Sequence, residues 1–160
     1  MKLYIRQKIF SWRDKYQIWN ESGTPVYFVE GEFFSFGAKL HLLDKTGAEL
    51  YRIEQQIFRF MPEYHIYKGD TLCAVVKKKF MLFGHAIDID SDFGQFAIDG
   101  NFWGMDFTNS TNGVVIGAIS KEWFNFADCY ELDIASETDP GFFTTLVIAI
   151  DHCIHNESNS

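Results

Sequence analysis

The sequence predicts a mainly β protein: a closed antiparallel barrel of about twelve strands around a central, hydrophobic C-terminal α-helix. Three observations support this prediction. Aromatic residues make up 18% of the 160 residues, and aromatic side chains favour pleated sheet. A short aromatic motif recurs along the chain with turn sequences between its copies. One segment near the C-terminus shows no strand alternation.

The recurring motif is Phe-x followed by an aromatic, an apolar residue or glycine, and its copies begin 22 to 24 residues apart. They start at Phe10, Phe34, Phe58, Phe80, Phe102 and Phe124. Between them lie the turn sequences "NESG", "DKTG", "KGD", "DSDFG" and "NSTNG", in which Gly and Asn supply the positive φ of tight turns. Each unit therefore predicts strand, turn and strand. We expect a single domain over residues 1–160, with the barrel over 3–135.

Between the Phe motifs and the turn sequences, apolar and polar residues alternate, which is the pattern of half-buried strands. The apolar positions that we expect inside the barrel include Tyr51, Ile53, Ile57, Tyr130, Leu132 and Ile134. The intervening polar positions, such as Arg52, Glu54 and Asp133, are expected on its outer face.

Twelve strands leave unpaired edges unless the sheet closes, and about eight strands already fill a barrel with their own side chains. A larger barrel needs a filling element, and "GFFTTLVIAIDHCIH" at Gly141–His155 is apolar on all sides. Asp139 suits a helix N-cap and Pro140 a first helical residue. The uninterrupted apolar run Leu146–Ile150 is far shorter than the roughly 20 residues of a membrane-spanning helix. We therefore predict a buried helix over residues 140–153 and no transmembrane span.

Composition and charge narrow the range of possible functions. The net charge of −8 disfavours nucleic acid and anionic surfaces unless a local basic patch overrides it. The three cysteines have no metal-ligand spacing, and no signal-peptide pattern opens the chain. We expect a cytoplasmic protein, peripheral to the membrane if it binds lipid, without a cofactor or a nucleic-acid partner. No catalytic motif is present, so we expect no enzyme, and a small hydrolase is the minor alternative.

The densest basic run is "KKK" at Lys77–Lys79. On a strand, Lys77 and Lys79 share one face and Lys78 takes the other. Together with Lys68 across the hairpin turn, Lys77 and Lys79 form a candidate site for a phosphate or a lipid headgroup. The alternative is a solvated strand that charge protects against edge pairing.

A weak calcium candidate lies in "DIDSDFG". Asp88, Asp90 and Asp92 occupy the first, third and fifth positions of a calcium-loop pattern, and Asp99 the twelfth. The glycine expected at the sixth position is replaced by Phe93, so a solvated turn is the competing interpretation.

The end of the predicted helix carries His152, Cys153 and His155. Such residues can bind zinc, but a fourth ligand is not evident. Imidazoles also suit a helix C-terminus electrostatically without any metal, and we favour this second interpretation.

The stretch "QKIFSWRDKYQIWNESGTPVYFVEGEFFSFGAKLHLLDKTGAELYRIEQQIF" resembles the start of the LURP-one-related family, in its bacterial branch. That family belongs with the tubby C-terminal domains and the phospholipid scramblases in the tubby-like superfamily. The resemblance covers nearly the whole chain, is strongest over residues 4–80, and implies a twelve-stranded barrel around a hydrophobic C-terminal helix.

The resemblance implies less about function than about fold. Tubby domains bind phosphoinositide headgroups through basic side chains, and scramblases are linked to calcium-dependent lipid movement. We expect a non-catalytic module that binds a phospholipid headgroup or another phosphorylated ligand. A protein-interaction or structural module without lipid binding is the alternative, and the oligomeric state stays open.

Overall fold

The computed structural model describes residues 1–6, 15–32, 36–82, 84–91, 94–124 and 127–155. These residues form twelve strands, a short 3-10 turn at Phe102–Gly104 and a C-terminal α-helix. The strands are β1 (Lys2–Arg6), β2 (Tyr16–Asn20), β3 (Pro25–Gly31), β4 (Lys39–Leu43), β5 (Glu49–Gln55), β6 (Glu63–Lys68), β7 (Thr71–Met81), β8 (Gly84–Ser91), β9 (Phe96–Asn101), β10 (Asp106–Thr111), β11 (Val114–Phe124) and β12 (Ala127–Ile134). The helix is α1 (Pro140–His155).

All twelve strands belong to one antiparallel sheet, in the order β8-β7-β6-β5-β4-β3-β2-β1-β12-β11-β10-β9. Every strand pairs with its neighbours in the chain except at the junction of β8 and β9. In addition, β1 pairs with β12, so that Leu3 lies opposite Leu132. The two ends of this order, β8 and β9, contact each other, although no hydrogen-bonded ladder joins them in the described residues. The barrel is therefore nearly closed, and the predicted mainly β fold of about twelve strands is confirmed.

The predicted alternation is confirmed within the strands. Tyr51, Ile53, Tyr130, Leu132 and Ile134 are all buried. The same expectation is wrong for Ile57, which is 41% exposed. The pairing of β5 with β6 ends at Gln55, and Phe58 then adopts a φ of 61°, so the strand period no longer applies at Ile57.

The helix α1 passes through the barrel, and every residue from Gly141 to Ile154 is buried. Asp139 caps its N-terminus: its Oδ1 accepts hydrogen bonds from the backbone N–H groups of Gly141 at 2.8 Å and Phe142 at 3.2 Å. The Tyr51 hydroxyl donates to Oδ2 of the same carboxylate at 2.8 Å. The burial of Gly141 to Ile154 confirms the predicted central helix. Tyr51 on β5 and the cap supplied by Asp139 hold its first turn in the barrel.

The strand order separates the connections into two groups. Because consecutive strands are antiparallel neighbours, alternate connections lie at opposite ends of the barrel. The predicted polar turns join β2 to β3, β4 to β5, β6 to β7, β8 to β9 and β10 to β11, and we call this end the polar end. At the opposite end, the ends of the strands flank the copies of the recurring Phe motif in the sequence, and we call this end the aromatic end. Helix α1 starts at the polar end and finishes at the aromatic end, where Cys153 Sγ lies 3.6 Å from the Pro62 carbonyl oxygen.

The last turn of α1 buries His152, whose ring centroid lies 6.0 Å from that of Tyr64. Burial, with a smaller contribution from His155, lowers the pKa of His152 to about 4. Burial raises the pKa of the neighbouring Asp151 carboxyl, and His155, with its Nδ1 3.0 Å from Asp151 Oδ1, partly opposes that rise. The interior therefore favours the neutral form of both groups.

The burial of His152 predicts that this residue lowers the stability of the protein in mild acid. Between about pH 6.5 and pH 4 the unfolded chain binds a proton at His152 that the folded chain does not bind, so the free energy of unfolding falls as pH falls. We expect the His152 contribution to reach about 3 kcal/mol, measured by urea unfolding across this range. His152→Gln removes the titrating group, and this variant should show a shallower dependence. Asp151 has the opposite effect on the free energy of unfolding. Its pKa is raised in the folded state, so its protonation as pH falls stabilises the folded protein. Equal slopes for the two proteins would contradict the assignment.

Candidate functional site

Lys68 lies at the polar end of the barrel. Its Nζ is 3.8 Å from Asp139 Oδ2 and 5.3 Å from the centroid of the Tyr51 ring. It therefore stands beside the carboxylate that caps α1. Lys68 pairs with Thr71 in the sheet, six residues along β7 from Lys77, which is about 20 Å at the rise of a strand. The structure thus places Lys68 apart from the other two predicted ligands, so one phosphate cannot contact all three.

Lys77 and Lys79 lie on the outer face of β7, near the aromatic end. Lys79 is exposed, and its Nζ lies 2.9 Å from Asp88 Oδ2 on β8. Lys77 is half-buried and stands between Glu63 on β6 and Asp88 in the sheet register. The two lysines thus share one face, as predicted.

Lys78 has the opposite orientation and is 3% exposed. Its Nζ lies 5.0 Å from the centroid of the Trp103 ring, which belongs to the connection between β9 and β10. A cation held over an aromatic face keeps part of its electrostatic stabilisation on burial. Lys78 is therefore part of the inner wall of the barrel and is not available to a ligand on the outer face.

Glu63 has two other side-chain partners. Its Oε1 lies 2.8 Å from His65 Nε2, and its Oε2 lies 3.7 Å from Nε of Arg59 in the connection between β5 and β6. The outer surface of β6 to β8 near the aromatic end therefore gathers Arg59, Lys77 and Lys79 around Glu63 and Asp88. We call these three cations the basic cluster. Three cations there face two carboxylates, and Asp90 lies two residues further along β8 toward the polar end. The whole chain, by contrast, carries a net charge of −8.

The cations on the neighbouring strands β4 and β5 are fully balanced by carboxylates. Lys39 Nζ lies 3.5 Å from Glu32 and 3.6 Å from Glu54. Arg52 contacts Glu54 through Nε at 2.7 Å and Glu49 through Nη1 at 3.0 Å. Three carboxylates surround two permanent cations here, so this face of β4 and β5 carries no surplus positive charge.

The residues of the calcium candidate lie on two strands and in a segment that the structure does not describe. Asp88 and Asp90 lie on β8, Asp99 lies on β9, and Asp92 and Phe93 are outside the described residues. Within the described part of the chain, no three His, Cys, Asp or Glu side chains are close enough together to hold a metal ion. Calcium binding at this turn stays a prediction.

Asp88 and Asp90 also line a cleft of about 600 Å³ between β8 and the start of β9. The Asn112 side chain closes one side of this cleft, where its Oδ1 accepts a hydrogen bond from the Gln95 backbone N–H at 3.2 Å. The lining is mostly polar and carries two carboxylates, which disfavours an anionic headgroup. The basic cluster on the outer face is the better phosphate candidate.

The three residues considered for zinc differ in their exposure to solvent. His152 and Cys153 are buried, whereas His155 is exposed and contacts Asp151. Burial raises the pKa of the Cys153 thiol to about 12, a rise that the nearby Lys78 partly opposes. This thiol is therefore protonated at neutral pH, while zinc and nucleophilic chemistry both require the thiolate.

The exposed apolar side chains at the aromatic end had no functional interpretation in the sequence. Of the twelve large apolar side chains that are exposed in the described residues, eight lie at this end. We call these eight the aromatic rim: Phe36, Ile57, Phe58, Phe60, Phe80, Met81, Leu82 and Trp103. The sequence contained a signal for this surface, because the Phe motif recurs at the period of one strand pair, and the described copies at Phe58 and Phe80 lie at the same end.

A nearly closed barrel of twelve antiparallel strands around a buried C-terminal helix defines the class of protein as tubby-like, as the sequence resemblance implied. The sequence profile of the LURP-one-related family matches residues 1–151, and the chain belongs to this family. In the part of the chain that the structure describes, no helix has both the length and the apolar character needed to cross a bilayer.

Two individual proteins are similar to this chain. The uncharacterized protein YxjI of Bacillus subtilis strain 168 is 32% identical over 166 residues, covering 99% of this chain and 97% of that protein. A crystal structure of a protein from Arabidopsis thaliana has a TM-score of 0.68 at 15% identity, covering 94% of this chain and 88% of that one. At such low identity the second similarity concerns the fold alone.

Proposed function

We propose that this protein is a non-catalytic β-barrel module that binds a phospholipid headgroup or another phosphorylated ligand at the basic cluster. The observation that carries the proposal is the local surplus of cations at Arg59, Lys77 and Lys79, at one end of an otherwise acidic molecule. Ammonium and guanidinium groups form charge-assisted hydrogen bonds with phosphate oxygens. The proposal does not involve Lys68, which lies beside the helix cap.

The geometry of the cluster supports a surface site rather than an enclosed one. Lys79 and Arg59 have side chains that are 55% and 56% exposed, so a headgroup can reach them without displacing the barrel wall. Asp88 already holds Lys79, so a phosphate must compete with this carboxylate. We therefore expect binding that depends strongly on salt, because exposed charges are screened over about 10 Å at 0.1 M.

Neutralising the cluster should weaken binding to anionic vesicles. Each lysine near an anionic membrane contributes about 1 kcal/mol, so Lys77→Gln together with Lys79→Gln should lower the partition constant about 30-fold. Flotation with phosphatidylcholine vesicles, with and without phosphatidylserine, measures the effect. Competition by a soluble inositol phosphate separates specific headgroup binding from general attraction to a charged surface.

The matched control is Lys45→Gln with Lys68→Gln, which removes the same charge at the polar end. This variant should bind almost as the wild type does. Equal losses in the two double variants would mean that only the net charge matters, and the basic cluster would not be a site. Wild-type protein that ignores both anionic vesicles and inositol phosphate at low salt would leave the protein-interaction module as the better interpretation.

A further inference from the structure

The aromatic rim concentrates exposed apolar surface at one end of the barrel. Phe36, Phe58, Phe60 and Leu82 are 92%, 98%, 98% and 93% exposed, and they lie in three different connections. At the polar end the exposed large apolar side chains in the described residues are fewer and less exposed, at 38% to 66%: Met1, Leu72, Val114 and Val115. Exposed apolar surface concentrated on one side of a domain is typical of interaction sites.

The rim is held by the barrel rather than carried on loose loops. The backbone N–H of Gln55 donates to the Ala38 carbonyl at 2.8 Å, and the Gln55 side chain accepts from the Ala38 N–H at 2.9 Å. These bonds tie the connection that bears Phe36 to the connection that bears Phe58. The Lys78 backbone N–H donates to the Pro62 carbonyl at 3.0 Å, which fastens the second connection to β7.

The backbone at Phe58 presents the ring to solvent. Its φ of 61° lies in the left-handed region that favours glycine and that bulky residues rarely adopt. Non-glycine residues held in this region cluster at active sites, ligand-binding segments and switch regions. The neighbouring Phe60 is equally exposed, so the two rings project from the same tied connection.

The charges around the rim match an anionic bilayer. Arg59 lies between Phe58 and Phe60 in the chain, and Lys79 immediately precedes Phe80. Basic side chains beside aromatic residues suit the level of lipid headgroups. The connections at the opposite end carry more carboxylates than cations, so the same surface would repel them. The carboxylates Glu21, Asp44, Asp70 and Glu137 stand there against Lys45 and Lys68.

We infer that the aromatic rim inserts into the headgroup and upper acyl region of an anionic lipid bilayer, with the polar end of the barrel turned toward water. A bilayer accepts separate projecting rings at any spacing, whereas a protein partner would need a matching pocket for each of them. The inference rests on the proposed function for the attraction of the basic cluster to anionic lipid. The apolar contribution is additional, because it does not depend on headgroup charge.

Vesicle flotation of rim variants tests this inference. Phe58→Ser with Phe60→Ser should lower partitioning into phosphatidylcholine–phosphatidylserine vesicles by about tenfold or more, because two apolar side chains no longer leave water. Val114→Ser with Val115→Ser is the matched control, since it removes two exposed apolar side chains at the polar end, and it should bind as the wild type does. Circular dichroism and thermal melting check whether both variants fold.

Insertion itself is measured by fluorescence. Phe58→Trp should add emission that is quenched by bromine-labelled acyl chains, relative to wild type, whereas Val114→Trp should add emission that these lipids do not quench. Quenching at position 114 equal to that at position 58 would overturn the proposed orientation.

The two proposals fail in different ways. The rim variant should lose binding to neutral phosphatidylcholine vesicles as well, while Lys77→Gln with Lys79→Gln should lose only the anionic component. Anionic binding that the lysine variant loses and the rim variant keeps would overturn insertion and leave the proposed function standing. A wild-type dimer that ignores vesicles and dissociates when Phe58 and Phe60 are replaced would overturn insertion in favour of a protein contact.

Discussion

Replacing Ile148 by aspartate is expected to unfold the protein. Ile148 is 1% exposed in the middle of α1, and the helix is surrounded by apolar side chains of the barrel wall. A carboxylate there would be buried without a cation, which costs several kcal/mol or forces the group to become protonated. That is comparable to the whole stability of a domain, about 5–15 kcal/mol. Size-exclusion chromatography and the near-ultraviolet circular dichroism spectrum report the loss.

Ile148→Val is the matched control at the same position. It removes one methylene group and should cost only about 0.5–1.5 kcal/mol. Deleting residues 140–160 should resemble the aspartate variant, because the barrel loses all the helix contacts at once. A truncated chain of residues 1–139 that stays monomeric and melts cooperatively near the full-length temperature would show that the barrel does not need α1.

The second large effect is expected at Gly117 on β11. A Cβ atom added there would lie 2.5 Å from Cζ of Phe143, with two further ring atoms within 2.8 Å. Phe143 is fully buried, so its ring cannot turn away without disturbing its neighbours. Gly117→Ala should therefore destabilise the protein by about 1–3 kcal/mol or more, the usual effect of overpacking. Urea unfolding measures this change.

A double-mutant cycle tests the cause. Phe143→Leu shortens the side chain that the new methyl group would meet, at the cost of a small cavity. If the clash dominates, Gly117→Ala with Phe143→Leu should be more stable than the sum of the two single changes predicts. Strict additivity would mean that Gly117 is required for some reason other than the Phe143 ring.

The sequence alone was sufficient for the fold class, because its signals are local. A period of two, turn residues at regular intervals and the Asp139–Pro140 helix start each depend on neighbouring residues. The same local rule correctly separated Lys78 from Lys77 and Lys79. It was wrong at Ile57, because the end of a strand is decided by where its partner stops pairing, and no local pattern records that.

Only the tertiary structure decided the composition of the candidate site. Lys68 and Lys77 are close in sequence, yet one stands beside the cap of α1 and the other near the opposite end of the barrel. Arg59 belongs to the candidate site because it contacts Glu63, and Asp88 belongs to it because it contacts Lys79. These contacts depend on strand register, which positions residues from different hairpins side by side and is set by the barrel as a whole.

The aromatic rim shows the same division. The sequence by itself determined the period of the Phe motif, and therefore the number of strand pairs. It could not show that the rings project outward, because an aromatic residue next to a strand end is as readily buried as exposed. The strand order brings the motif-bearing connections that the structure describes to one end, and α1 fills the interior with its own side chains. Rings such as Phe58 and Phe60, beyond the ends of the strands, are left outside the packed core and exposed to solvent.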